Sequence, residues 1–328
     1  MRAVVVPRLG GPEVLTLVEL PRPEPAADQV LVKLKMAGVS YGDVYQREGT
    51  YRAAPLKETD PPLPIGSEGA GTVVAAGSDV KLVKEGDLVV YCDHLGSYAE
   101  YAAVPAWRVV KVPDALALEV AAAAYSQGAT AHYLAFDTGK LGPGSSCLVH
   151  AAAGAVGHIL VQFAKLLGAH VLATVGSAEK AEFVRQLGIK DVIQYREVDF
   201  LDEVRRRTDR AGVDVVYDSV GAATIERSIK ATKLRGLCVL YGNSSGAVVS
   251  IAPMELAAAG SIYFTRPRQA HHMRNQNEIA RRADAIFGAL ARGQLKVTIG
   301  GTFPLESVVD VHRKLQSRAT MGKLILTL

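Results

Sequence analysis

The amino-acid sequence predicts an α/β protein in which a β-rich, barrel-like module is followed by a doubly wound parallel sheet. Up to about residue 125, short β-rich runs alternate with Pro and Gly, which is typical of an all-β module. From about residue 126, apolar strands alternate with helices, which indicates a parallel sheet covered on both faces. The 328 residues are 49% hydrophobic and 21% charged, so the chain can form two domains with cores of their own.

The strands of the first module are expected where apolar and β-branched residues run between turn residues. Clusters such as Gly10-Gly11-Pro12 mark the turns between them. A proline-containing segment, residues 51–64, predicts an exposed loop. The expected strands cover residues 14–18, 30–36, 72–76, 87–91, 98–104 and 108–112.

The second module follows a strand–helix alternation in which Gly168 and Gly188 end the first two helices. Its expected strands cover residues 146–151, 169–175, 213–218, 237–242 and 261–265. The two helices are expected over residues 158–167 and 178–187.

The last sixty residues are expected to return to the first module rather than to extend the parallel sheet. They predict a helix (278–291), a strand (295–299), a helix (307–317) and a terminal strand (323–328). The domain division that follows places residues 1–125 and 267–328 in one domain and residues 126–266 in the other.

Charge and cysteine usage limit the classes of partner and compartment. With 37 basic and 33 acidic residues the formal charge is +4, so no broad basic face is required and nucleic acid is not an expected partner. The three cysteines never form a C-x-x-C pair, which argues against a disulfide framework and a cysteine-rich zinc site. No apolar stretch approaches the ~18 residues of a membrane span, and the start of the chain lacks a signal-peptide core. We therefore expect a cytoplasmic protein with no membrane partner.

The turn at residues 152–157 reads Ala-Ala-Gly-Ala-Val-Gly between a predicted strand and a predicted helix. This is the context of a dinucleotide-binding turn, although its first glycine is replaced by Ala152. Gly154 would let the backbone approach a pyrophosphate, and Gly157 would let the helix lie close to the strand. The helix N-terminus would offer N–H groups and a partial positive charge to the phosphates. Glycines at an ordinary βα turn are the alternative interpretation.

The end of the second strand of this module predicts which dinucleotide is bound. An NAD-selective site would carry Asp or Glu there, but this chain has Gly176-Ser177. Ser177 can hydrogen-bond a 2′-phosphate, Lys180 can neutralise it, and Tyr195 can add a hydroxyl. The pattern favours NADPH, and a solvated surface lysine is the alternative interpretation of Lys180.

With these motifs in view, the sequence resembles the medium-chain dehydrogenase/reductase superfamily, in its zinc-free NADPH:quinone oxidoreductase branch, which includes zeta-crystallin. The turn and the residues before it, 150–157, carry the resemblance together with segments along the whole chain. Those segments are residues 38–43, 66–71, 217–221, 242–246, 265–267 and 317–320.

The resemblance implies a GroES-like catalytic domain built from both chain ends around a Rossmann NADPH-binding domain, with the nicotinamide in the cleft between them. Relatives usually carry Asn at the position of Ser40, so a longer amide contact is replaced here by a shorter hydroxyl. The implied cofactor-binding residues, with those of the turn and the 2′-phosphate site, are Ser40, Tyr41, Asp43, Thr130, Gly154, Ala155, Val156, Gly157, Gly176, Ser177, Lys180, Tyr195, Ser219, Tyr241, Gly242, Asn243, Ser244, Phe264, Thr265, Arg266 and Arg318.

No metal is expected. Zinc-dependent alcohol dehydrogenases of this superfamily hold their metal with Cys, His and a further Cys, and the matching positions here carry Ser40, Ser67 and Gln127. None of these is a zinc ligand comparable with thiolate or imidazole. A simple alcohol or ketone needs Lewis-acid polarisation, whereas a quinone is already a strong electrophile and becomes an aromatic hydroquinone. The protein then has to stack the ring, exclude water and orient the transfer.

The predicted function is therefore NADPH-dependent reduction of a quinone or another small electrophile. Tyr45 and Tyr51 are candidates for an aromatic wall of the substrate pocket, with ordinary packing as the alternative. Reduction of an activated C=C bond in an enone or alkenal is the second enzymatic hypothesis. A zeta-crystallin-like structural or RNA-binding protein that binds NADPH is the third, although the chain lacks a clear basic and aromatic stripe.

The predicted strand 261–265 suggests a homodimer. As the last strand of the parallel sheet it would form an uncharged edge, with Ile262 expected to offer a free N–H. Pairing with its own copy about a two-fold axis would satisfy that edge. A tail that covers the edge is the alternative.

Overall fold

The structure, a computed structural model, describes residues 1–50, 60 and 62–328, in two compact units. The first unit comprises Met1–Ser126, Met273–Ala291 and Val297–Leu328, and the second comprises Gln127–His272 and Arg292–Lys296. Within the described residues, no helix combines the length and the apolarity needed to cross a membrane.

The described residues before 118 are dominated by strands. In chain order the elements are β1 (Arg2–Val6), β2 (Thr16–Glu19), β3 (Gln29–Val39), α1 (Tyr41–Glu48), β4 (Leu63–Pro64), β5 (Glu68–Ala76), β6 (Leu88–Cys92), β7 (Tyr101–Pro105) and β8 (Val110–Lys111).

The middle of the chain alternates strands with helices. Its elements are α2 (Leu118–His132), β9 (Ser146–Val149), α3 (Gly157–Leu166), β10 (His170–Val175), α4 (Ala178–Gln186), β11 (Asp191–Gln194), α5 (Phe200–Arg207), β12 (Val213–Asp218), α6 (Ile225–Ala231), β13 (Thr232–Leu240), α7 (Pro253–Ala258) and β14 (Tyr263–Thr265). The chain then ends with α8 (Gln276–Ala291), β15 (Ile299–Pro304), α9 (Val308–Gln316) and β16 (Lys323–Thr327).

The second unit is built on a parallel sheet with the strand order β11-β10-β9-β12-β13-β14. Leu148, Leu172 and Val216, on three of these strands, are fully buried in one apolar core. The strand order reverses at β9, because β10 lies on one side of it and β12 on the other. In such a sheet, ligands bind at the carboxyl ends of the strands beside this switch point.

The first unit contains a mainly antiparallel sheet in the order β15-β16-β3-β5-β6-β8, with β7 also paired to β3. The terminal strand β16 runs antiparallel to β3, with Leu324 opposite Val39. This pairing confirms that the tail returns to the N-terminal module. A smaller sheet has the order β2-β1-β4.

The predicted strand at residues 295–299 is wrong, because the strand β15 begins at Ile299. The amide side chain of Gln162 takes both backbone groups of Lys296: its Oε1 accepts the N–H at 2.8 Å and its Nε2 donates to the carbonyl at 2.9 Å. A backbone satisfied by a side chain is not available for a strand ladder. The alternating apolar pattern of residues 295–299 therefore predicts a strand at a position where the structure forms none before Ile299.

The predicted edge strand exists as β14, which pairs with β13 at the end of the sheet order. The assignment of a free edge donor to Ile262 is wrong. Ser261 has a left-handed φ of 53°, and Ile262 donates its N–H to the carbonyl of Leu256 at 3.2 Å. The Ile262 side chain is 6% exposed and belongs to the core.

Candidate functional site

The glycine-containing turn connects the end of β9 to the start of α3. Ala151 adopts a left-handed φ of 51° where the chain turns. A Cβ on Gly157 would lie 2.4 Å from the carbonyl oxygen of Ala151, so a side chain cannot be accommodated there without movement. A Cβ on Gly154 would lie 3.1 Å from the same oxygen and would otherwise project into open space. Gly157 thus permits the close helix–strand approach, and Gly154 leaves the outer side of the turn bare.

The N-terminus of α3 has the character of a phosphate site. No side chain forms a cap hydrogen bond at the N-cap residue Val156, and no acidic residue lies in the first turn. The predicted residues Ala155, Val156 and Gly157 place their backbone at this positive end of a ten-residue helix. A bare turn and an uncapped helix N-terminus together fit a pyrophosphate.

The residues predicted to bind the 2′-phosphate lie where β10 and β11 end. Ser177 caps α4 and accepts the N–H of Lys180 on its Oγ at 3.3 Å. The hydroxyl oxygen of Tyr195 lies 2.8 Å from the position of a Cβ on Gly176, so the phenol approaches that glycine closely. Lys180 is half-buried, and Tyr195 is 44% exposed. The structure therefore brings the four predicted residues of the 2′-phosphate site to neighbouring strand ends.

The structure adds Arg196, which the sequence analysis missed, to this site. Burial, followed by the positive charge of Arg196, lowers the pKa of Lys180, while the exposed Glu179 acts in the opposite direction. The positive charges of Lys180 and Arg196 repel each other, so a bound phosphate dianion would stabilise both. The signal was present in the sequence, because Arg196 directly follows Tyr195.

The loops after β12 and β13 converge at the carboxyl edge of the same sheet. The Asp218 side chain accepts the N–H of Val220 at 2.8 Å and of Gly221 at 3.0 Å, which fixes the first loop. The backbone of Ser244 donates to the carbonyl of Ser219 at 3.2 Å. A Cβ on Gly242 would lie 2.6 Å from that same carbonyl oxygen. The predicted residues of these two loops, Ser219, Tyr241, Gly242, Asn243 and Ser244, are therefore brought together.

A pocket of about 460 Å³ adjoins these loops. Three predicted residues line it: Asn243, Phe264 and Arg266. Thr265, the last residue of β14, lies between Phe264 and Arg266. Thr130 accepts a hydrogen bond from the Gln269 side chain at 3.2 Å.

The first unit holds the remaining predicted residues around α1. Ser40 precedes the helix, and its N–H donates to the Asp43 carboxyl group at 2.9 Å. Tyr41 contacts Arg318, whose charge opposes the burial that raises the pKa of the phenol. Tyr45 is 6% exposed, and its ring centroid lies 6.0 Å from that of Tyr41. The other proposed wall residue, Tyr51, lies outside the described residues.

Asp43 lies in a buried polar network that the sequence analysis did not detect. Its carboxyl group accepts hydrogen bonds from the hydroxyls of Ser40, Ser67 and Tyr98 at 3.1, 3.0 and 3.1 Å. Burial, followed by the negative charge of Glu68, raises the pKa of Asp43 to about 6. Ser67 and Tyr98 lie 24 and 55 residues from Asp43 in the sequence, so no local pattern could have joined them to it.

The positions that correspond to zinc ligands carry hydroxyl and amide groups in this chain. Ser40 and Ser67 direct their hydroxyls to Asp43, and Gln127 is buried. Across the described residues, no group of three or more His, Cys, Asp or Glu side chains could hold a metal ion. The donor set at these positions does not fit zinc.

Comparison with known proteins agrees with this geometry. Residues 26–114 match the family "Alcohol dehydrogenase GroES-like domain", and residues 155–280 match the family "Zinc-binding dehydrogenase". The fold is therefore a GroES-like domain with a Rossmann domain, the architecture of the medium-chain dehydrogenases/reductases.

Full-length relatives define the branch. The chain is 39% identical to Quinone oxidoreductase 1 of Escherichia coli over 320 residues, which cover 97% of this chain and 96% of the relative. It is 38% identical to a 2-haloacrylate reductase of Burkholderia, covering 99% of this chain and 98% of the relative. The crystal structure of E. coli quinone oxidoreductase in complex with NADPH has a TM-score of 0.95 and 38% identity, with 100% of both chains covered. The chain belongs to the zinc-free NADPH:quinone oxidoreductase family.

Proposed function

We propose that this protein is an NADPH-dependent reductase that transfers hydride, or electrons, to a quinone without a metal. The observation that carries the proposal is the pair of phosphate sites at the carboxyl edge of the parallel sheet. One is the bare turn at α3, and the other is the cluster of Ser177, Lys180, Tyr195 and Arg196. Together they suit a dinucleotide that bears an additional 2′-phosphate.

The residues of this chain then take distinct roles. The turn at 154–157 would hold the pyrophosphate, and the cluster at 176–180 with Tyr195 and Arg196 would hold the 2′-phosphate. The remaining cofactor contacts are proposed for Ser40, Tyr41, Asp43, Thr130, Ser219, Tyr241, Gly242, Asn243, Ser244, Phe264, Thr265, Arg266 and Arg318. We assign residues 126–266 to the cofactor domain and residues 1–125 with 267–328 to the catalytic domain, and the two compact units support this division.

NADPH, when bound, supplies the hydride. The protein's part is to hold a flat acceptor in line and to exclude water, because a quinone needs no Lewis acid. Tyr45, packed against Tyr41, is proposed to form part of the wall that the ring contacts.

An anaerobic screen of NADPH oxidation tests the proposal. We expect rapid turnover with 1,4-benzoquinone or 9,10-phenanthrenequinone, and little with NADH as donor. NADPH binding without turnover of any acceptor would contradict the enzymatic function and would favour a structural role for the bound nucleotide.

Reduction of an activated C=C bond is the second candidate, and the 38% identity to a 2-haloacrylate reductase is the observation that favours it. Such a double bond also accepts hydride without a metal. Adding a short enone and 2-chloroacrylate to the screen separates the two candidates. The class of acceptor with the higher kcat/KM, quinones or activated double bonds, is the substrate class.

We further propose a homodimer formed through β14. This strand lies at the sheet edge, and Tyr263 on it is 67% exposed. An exposed aromatic side chain on an edge strand favours pairing with a second copy.

We also propose that the protein functions in the cytoplasm. Its three cysteines, Cys92, Cys147 and Cys238, are free and buried. Burial raises the pKa of the Cys147 thiol to about 12, so this thiol stays protonated and inert. Unpaired cysteines fit a reducing compartment.

A further inference from the structure

The carboxyl group of Asp43 is buried in the first unit, and the cofactor contact proposed for this residue makes no use of its acidity. Its side chain is 0% exposed. Its surroundings are charged: Glu68 on β5 raises its pKa, and Lys323 on β16 lowers it. Lys323 is paired with Glu68 at 2.5 Å and is itself fully buried. With burial as the largest cause, the pKa of Asp43 is raised to about 6. An acid of this strength can give up a proton near neutral pH.

Two serine hydroxyls connect this buried acid to the partly exposed side of the network. Ser40 lies at the start of α1 and donates to Oδ2 at 3.1 Å, while Ser67 lies just before β5 and donates to Oδ1 at 3.0 Å. Both serines are partly exposed, whereas Asp43 is not. A hydroxyl can accept a proton from one partner while donating its own to another. Each serine therefore has the hydrogen-bonding capacity of a single-step proton relay from Asp43.

The hydrogen bonds on the opposite side of Asp43 have a fixed direction, and all of them point toward the carboxylate. The Tyr98 hydroxyl lies 3.1 Å from Oδ2 and 3.2 Å from Nε2 of His312, and Nδ1 of His312 lies 3.1 Å from the Arg47 guanidinium. Arginine only donates, so Nδ1 accepts, Nε2–H donates to Tyr98, and Tyr98 donates to Asp43.

These three groups, Arg47, His312 and Tyr98, form a row behind Asp43 that does not release a proton. Burial, followed by the charge of Arg47, lowers the pKa of His312 to about 3, so the ring stays neutral. Arg47 keeps its own proton at any working pH. The row stabilises the Asp43 carboxylate once it has formed, and the serines remain as the route for proton exchange.

We propose that Asp43 stores the proton consumed in quinone reduction and delivers it through the hydroxyl of Ser40 or Ser67. This role rests on the proposed function. Hydride adds two electrons and one hydrogen to the quinone and leaves a negative oxygen on the ring. That oxygen takes the serine proton, the serine takes the Asp43 proton, and the carboxylate is reprotonated from water. The sum is one hydride and one proton per hydroquinone formed.

The test is Asp43→Asn, with Glu48→Gln as the matched control. Glu48 lies on the same helix but contacts Arg47, at 2.8 Å, rather than Asp43. In the wild-type protein kcat should fall as the pH rises through about 6, because the acid loses its proton. Asp43→Asn should lower kcat at about pH 5.5 by about tenfold and abolish this fall. Glu48→Gln should keep the wild-type profile.

A second variant probes the row behind Asp43. Tyr98→Phe removes a hydrogen bond to the carboxylate but leaves both serines in place. Because the charged form loses a partner, the fall in kcat should move to higher pH. The double variant Ser40→Ala with Ser67→Ala should lose the pH-dependent fall in kcat, although Asp43 still exchanges its proton as the pH changes.

Infrared spectroscopy of the cofactor-free protein provides a readout that does not depend on turnover. The carbonyl stretch of a protonated carboxyl group, identified by its loss in Asp43→Asn, should disappear as the pH rises through about 6 and should persist to higher pH in Tyr98→Phe. The relay is overturned if Asp43 is ionised throughout the range of about pH 5 to 8. It is also overturned if the active variants keep the wild-type dependence of kcat on pH. A wild-type protein that reduces no quinone would instead contradict the proposed function.

Discussion

Lys180 and Arg196 are the residues on which the choice between NADPH and NADH depends. Lys180 lies in the first turn of the helix that Ser177 caps, and its pKa is lowered by burial and by the positive charge of Arg196. A charge-assisted contact to phosphate is worth about 1.5–3 kcal/mol.

We expect Lys180→Ala to raise KM for NADPH about ten- to a hundredfold and to leave KM for NADH nearly unchanged. Arg196→Ala should act in the same direction with a smaller effect, because this residue is more exposed. Steady-state kinetics with both nucleotides check this. Lys190→Ala, also near β11, serves as the control and should change neither constant; equal losses with both nucleotides would argue against a 2′-phosphate site.

At the scale of elements, the turn between β9 and α3 determines how closely the helix approaches the strand. A Cβ on Gly157 would come within 2.4 Å of the Ala151 carbonyl oxygen and 2.8 Å of the Ala152 Cα, both of which are backbone atoms. Backbone cannot move aside as a flexible side chain can, so the helix N-terminus would have to shift.

Gly157→Ala should therefore destabilise the protein by about 1–3 kcal/mol. It should also weaken NADPH binding, because the amides of α3 would move. Chemical denaturation and titration calorimetry measure the two effects. The matched control is Gly142→Ala, where an added Cβ meets no atom within 4 Å. Wild-type stability and affinity in Gly157→Ala would show that the turn does not depend on this glycine.

At the scale of the whole molecule, the chain ends are joined within the first unit by more than strand pairing. Lys323 on β16 is fully buried and donates to Glu68 at 2.5 Å and to the Val39 carbonyl oxygen at 3.1 Å. Removing one partner of a buried ion pair leaves an uncompensated charge.

Lys323→Met should lower the free energy of unfolding by about 3–5 kcal/mol. Adding Glu68→Gln to this variant should recover part of the loss, since the isolated carboxylate is then neutral. Denaturant melts of the two variants measure this coupling. Lys33→Met, an exposed position on β3, should change stability by less than about 0.5 kcal/mol. If Lys323→Met lowers the free energy of unfolding by as little as Lys33→Met, the Lys323–Glu68 pair contributes little to stability.

Assembly is the second prediction at this scale. Tyr263→Asp places a charge on the exposed edge strand without disturbing the core, because Tyr263 is 67% exposed. We expect the mass measured by light scattering to fall from that of a dimer toward that of a monomer. Leu166→Asp, at the exposed end of α3, is the control and should remain dimeric. A wild-type monomer at micromolar concentration would refute the dimer.

The sequence by itself determined the α/β class, the strand–helix alternation, the glycine turn and the family, because each of these depends on local patterns. Strand β12 was predicted over the residues that it occupies, since a short apolar run broken only by Asp214 and preceded by Gly212 has few alternatives. Tertiary contacts decided the rest. Gln162 bonds the backbone of Lys296 and displaces the expected strand, and Leu256 takes the N–H that Ile262 was expected to offer. The network around Asp43 joins α1, β5, α9 and β16, so only the folded chain brings its charges close enough to shift a pKa.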